Sequence, residues 1–186
     1  MPIEWGEIGK LIMSSKNRII ILVAVKLALS LPILVVLVVI LHEGAHFLTA
    51  LILGVPISHF NWFDPYYLAP VLTSGSIGYT MDTKIISYAG GLVTGMLLLV
   101  ALILKRDWFK NSLYKWFLGL SIATFGFWQI SHGILEGAFH QKYISDVTNL
   151  FSSSYYIGYA SGLFGTALYW LSMRGFKELL VKEIQN

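Results

Sequence analysis

Five consecutive residues carry the sharpest chemical signal in this chain: His42-Glu43-Gly44-Ala45-His46. On a helix, four residues turn a side chain through about 400°, so histidines at that spacing leave one face and can share one metal ion. Glu43 stands on the adjacent face, placed to take a proton from a water that zinc has acidified toward a pKa of about 7. That is equipment for hydrolysing a peptide bond. Chance is the competing explanation for so short a motif, and location argues against it. The five residues lie inside a long apolar segment, where even one charged group costs at least about 2.5 kcal/mol.

A catalytic zinc takes three protein ligands and keeps one position open. The chain has no cysteine, so the third donor is a His, Asp or Glu. Asp64, Glu136, His140 and Asp146 are the candidates outside the motif. His132, Glu136 and His140 recur every four residues and share a face of their helix if it stays regular. They could support the ligands or supply the third one. Asp146 comes just before the last expected span, where a carboxylate can point back into a bundle.

The elements that must position these groups follow from composition. The 186 residues are 56% apolar and 12% charged, with a mean hydropathy of +0.69, outside the range of ordinary soluble domains. Charges gather at 10–18, 105–115 and 174–183, the layout of spans separated by short loops. The expected fold is an all-α integral membrane protein, one domain over 1–186, with about four transmembrane helices. Residues 1–30 read as an interfacial and approach helix, and 31–54 as the span with the motif, kinked near Pro32 and ended by Gly54. The run from 19 to 54 is too long for a signal peptide, so an uncleaved anchor is expected. Residues 55–83, rich in Pro, Gly and β-branched residues, read as a membrane-associated hairpin-like segment. Further spans are expected at 84–104, 113–136 and 154–173. Ten basic residues then fall on one side and only Lys84 and Lys142 on the other, which predicts a multi-pass protein with both termini cytoplasmic. A net charge of +3 is too small to argue for nucleic acid.

With these features in place, the chain resembles the site-2 protease family of intramembrane zinc metalloproteases over roughly residues 33–150. The resemblance rests on His42 to His46, on the extended segment after it, and on Ala89-Gly90-Gly91-Leu92-Val93-Thr94, which is similar to that family's Gly-rich segment. It implies that Asp146, at the family's downstream Asp, completes the zinc site with His42 and His46. Thr94 stands where the family carries a substrate-positioning Asn, and Asn149, one turn from Asp146, could take that role. The Leu-Asp-Gly setting of the family's Asp is absent here. Familiar members also turn the hairpin toward the cytosol, whereas the basic residues here place it outside. The implied activity is that of a zinc metalloendopeptidase, one zinc per chain, acting on a transmembrane protein substrate in the lipid bilayer. The alternative is a metal-binding membrane protein without proteolysis, a transporter or an inactive relic, with His132, Glu136 and His140 lining an ion path.

Overall fold

The computed structural model describes residues 15–64, 69–74, 81–138, 153–173 and 176–185. In chain order the elements are α1 (Ser15–Ile52), β1 (Ile57–Asp64), β2 (Ala69–Ser74), α2 (Met81–Leu104), α3 (Arg106–Phe109), α4 (Leu113–Ala138), α5 (Ser153–Ser172) and α6 (Phe176–Gln185). The approach segment and the first span form one helix of 38 residues with Pro32 inside it. Proline deletes one backbone hydrogen bond, a local loss that a helix of ten turns survives. The end of α1 falls where Gly54 predicts it. Gly54 has φ 67°, its N–H donates to the Leu51 carbonyl, and the Val55 N–H donates to that of Ala50, the paired bonds of a Schellman cap.

The expected fold class needs correction in its span count. Among the described residues, two helices are long and apolar enough to cross a membrane, Asn17–Ile52 and Met81–Leu104, where four were expected. α4 and α5 lie at the positions expected for spans, but Gln129, His132 and Glu136 in α4 and the Ser and Tyr residues of α5 dilute their apolar character. Of the expected N-terminal interfacial helix, residues 15–18 belong to α1, and 1–14 lie outside the described residues. Between the two apolar helices, β1 and β2 pair antiparallel, Ile57 opposite Ser74 and Phe60 opposite Leu72, with irregular register on either side. No membrane association is shown for this ribbon.

Side-chain contacts give the four long helices an alternating up-and-down order. Leu34 and Val38 of α1 meet Leu98 of α2, while Gly90 of α2 lies against His42 and His46, so these helices run antiparallel. α2 and α4 also run antiparallel and meet backbone to backbone. A Cβ on Gly91 would come within 2.2 Å of the Gly133 nitrogen, and one on Gly95 within 2.6 Å of the Gly126 carbonyl oxygen. Small residues at such a crossing let dispersion act over the full length of two helices. α4 is also tied to α5 by hydroxyl pairs, Thr124 to Thr166 at 2.6 Å and Ser131 to Ser161 at 2.8 Å. At the far end Trp116, Phe109, Tyr169 and Met173 form the main apolar cluster, capped by Phe176 and Leu179 of α6.

The glycine contacts make a direct prediction. Gly91→Ala must push α4 away from α2, at a cost of about 1–3 kcal/mol or more, whereas nothing lies within 4 Å of a Cβ on Gly44 and alanine favours helix there by up to about 1 kcal/mol. Thermal unfolding of the purified protein is expected to show a lowered midpoint for Gly91→Ala and an unchanged or raised one for Gly44→Ala.

Candidate metal centre

The two motif histidines lie on the side of α1 that faces α2 and α4. His46 is buried at 6% exposure, and each ring is held from behind through Nδ1. The His46 Nδ1–H donates to the Ile86 carbonyl at 2.6 Å, and the His42 Nδ1–H donates to Gln129 Oε1 at 2.8 Å. A carbonyl oxygen can only accept, so both rings carry a proton on Nδ1. The two Nε2 atoms stand 3.0 Å apart. Neutral rings would bring two lone pairs together there, an arrangement that a shared proton or a bound cation relieves.

Glu136 of α4 completes the arrangement. Its Oε2 is 3.6 Å from His42 Nε2 and its Oε1 is 3.5 Å from His46 Nε2, and Oε2 is buried with no hydrogen-bond partner. One donor atom from each of the three side chains falls within 4.8 Å of the others, so the group could hold a metal ion. Ligand atoms around a tetrahedral zinc, with bonds of about 2.0–2.2 Å, lie about 3.3–3.6 Å apart. The two carboxylate–histidine distances fall in that range and the Nε2 pair, at 3.0 Å, is slightly closer, so the set fits with a small adjustment. So does the wall behind it, because a Cβ on Gly90 would land 2.2 Å from His46 Nε2 and 2.8 Å from His42 Nε2. Only glycine leaves that space open.

Glu43 is half-buried on the same helix and interacts electrostatically with His42, His46 and Glu136. His132, one turn before Glu136, is likewise within electrostatic reach of His42 and Glu136 and sits beside the Trp128 ring at 6.3 Å between centroids. It is a neighbour of the donor set, not a member. Thr94 is fully buried one turn beyond Gly90, and its hydroxyl has no hydrogen-bond partner among the described residues. Asp146, Asn149 and His140 lie outside the described residues, as does any contact they make. The described third donor is therefore Glu136, one of the four candidates but not the one the family resemblance favours.

Sequence reasoning missed two parts of the centre. Gln129 was legible in principle, since Gln129, His132 and Glu136 form a polar stripe at helical spacing in an otherwise apolar segment. The Ile86 carbonyl carries no sequence signal at all, because every residue has one. No protein-family model, curated protein or solved structure matches this chain. The geometry of the centre has to carry the functional reading.

Gly90→Ala is expected to abolish metal binding, since its methyl group would occupy the space in front of both Nε2 atoms. Gln129→Ala should weaken binding by about 10–100-fold, the usual consequence of losing a partner that orients a histidine ligand. Metal content after dialysis against graded chelator measures both.

Proposed function

We propose that this chain is a membrane-embedded zinc metallopeptidase that hydrolyses a peptide bond in or near a transmembrane segment of another protein. The observation that carries this reading is the convergence of His42 Nε2, His46 Nε2 and the Glu136 carboxylate beside a second carboxylate, Glu43. Two histidines and a glutamate, with one position left for water, are a donor set of zinc hydrolases. Oxygen and nitrogen donors without thiolate suit one zinc per chain. When bound, that ion supplies Lewis acidity, making water a competent nucleophile near neutral pH and polarising a carbonyl.

The roles of the protein groups follow from their positions. Gln129 and the Ile86 carbonyl hold a ring proton on Nδ1 of His42 and His46, so each neutral ring would offer Nε2 to the metal. Glu136 supplies the anionic donor. Glu43 is not needed as a donor and accepts the proton of the attacking water, then returns it to the leaving amine nitrogen. Gly90 keeps the reacting space free of side chain. His42 and Glu136 retain 14% and 17% side-chain exposure, which gives a substrate a way in. A substrate helix satisfies its own carbonyls, so the bond to be cut must first be unwound.

The resemblance to the site-2 protease family belongs to the same proposal, with Glu136 in place of Asp146 as the third ligand. The multi-pass arrangement with cytoplasmic termini also belongs to it. Arg18, Lys105, Arg106, Lys110, Lys115 and Lys182 lie at one end of the bundle against Lys84 at the other, and the basic end is placed inside.

Three variants test the reading. Glu43→Gln should keep its metal and lose cleavage of a model transmembrane substrate by at least about 100-fold, as expected for a general base. Glu136→Ala should lose metal and cleavage together, and Asp146→Ala should keep its metal. Full cleavage by the Glu43→Gln protein would sink the mechanism, and a metal-free Asp146→Ala protein would move the third ligand to Asp146.

A further inference from the structure

The depth of the centre points to a class of substrate bond, an inference that rests on the peptidase reading above. α2 gives the scale. Its stretch from Ile85 to Leu104 is free of charge and bounded by Lys84 and Lys105. Twenty helical residues rise about 30 Å, the thickness of the hydrocarbon core. Gly90, which lies against both histidine rings, is five residues from Ile85, about 8 Å along the axis. It is fourteen residues from Leu104, about 21 Å.

α1 gives the same offset. His46 is six residues short of the end of α1 at Ile52, about 9 Å along the axis. At the opposite end, headgroup-level groups mark the second boundary. Lys115 lies 4.5 Å over the Trp108 ring, Lys26 lies 5.9 Å from the Tyr114 ring, and Arg106 donates to the Ser172 carbonyl. Aromatic rings with basic partners are the usual furniture of a membrane interface.

We infer that the centre lies in the outer third of the membrane, opposite the basic end, and cuts substrate spans one to two turns inside their extracytoplasmic boundary. A helix frays at its ends and not at its middle, so a bond at this depth needs less unwinding than one at mid-span. The hydrolysis adds one water across one peptide bond, giving a new carboxylate and a new amine. One product leaves on the extracytoplasmic side. The other keeps about fourteen residues of apolar helix and stays in the membrane with its cytoplasmic part attached. The substrates are therefore membrane-anchored proteins whose outer portion is to be released.

The absence of cysteine makes the test clean. Met81→Cys, at a position 72% exposed, and Asp107→Cys, also exposed, are labelled with a membrane-impermeant maleimide in right-side-out and inverted vesicles. The same vesicles receive a single-span model substrate, and the fragments are weighed by mass spectrometry. The inference expects Met81→Cys to react only from the extracytoplasmic face and Asp107→Cys only from the cytoplasmic face. It expects a cut within about eight residues of the substrate's outer boundary. Reversed labelling overturns the side. A Glu43-dependent cut at mid-span or in the inner half overturns the depth and leaves the peptidase reading intact. No Glu43-dependent cut of any substrate in a series, by protein that holds its metal, removes the peptidase reading and this inference with it.

Discussion

The contact of α2 with α4, backbone against backbone, is the constraint on which the centre depends. Gly91 and Gly133 leave no room for a methyl group between the helices, and Gly95 and Gly126 repeat the contact further along. In an apolar medium there is no water to drive helices together, and close packing of small residues is what remains. That closeness has a chemical consequence. Glu136 stands three residues beyond Gly133, so the crossing that joins the helices also fixes how far its carboxylate reaches toward the histidines of α1. A wider crossing would still give a bundle, but one in which the three donor atoms no longer meet.

Within this frame each polar group in the centre is held by another. The histidines are anchored by Gln129 and the Ile86 carbonyl, and the Glu136 carboxylate faces both of their Nε2 atoms. Buried polar groups are costly when left unpaired, and here the pairing also selects one tautomer. What remains unpaired is instructive: the Glu136 Oε2 atom has no hydrogen-bond partner among the described residues, although its carboxylate faces both Nε2 atoms, in a group that could hold a metal ion.

The two apolar helices and the two more polar ones divide the work. α1 and α2 meet the length and apolarity of a membrane span, while α4 gives up apolar character to carry Gln129, His132 and Glu136. Those polar residues turn toward α1 and α2, and hydroxyl pairs tie the opposite flank of α4 to α5. A helix with polar groups on two sides is stable here because both sides are covered by protein.

Much of this was legible in the sequence. His42, Glu43 and His46 are read from spacing because helix periodicity is local, and the end of α1 is read from Gly54 because only a left-handed residue closes a Schellman cap. The positions of α2, α4 and α5 followed from apolar runs between charge clusters. The number of spans did not, because a position between two charged loops says nothing of how apolar the helix is. The continuity of α1 through Pro32 was left open by the sequence, since proline weakens a helix locally without deciding whether the rest continues. Tertiary structure alone brings Glu136 to the histidines. Asp64, Glu136, His140 and Asp146 are all possible donors as letters, and the crossing of α2 and α4, set by glycine contacts between distant parts of the chain, is what carries the Glu136 carboxylate to both Nε2 atoms. Distance in space is not written in local pattern, and a metal site is made of distances.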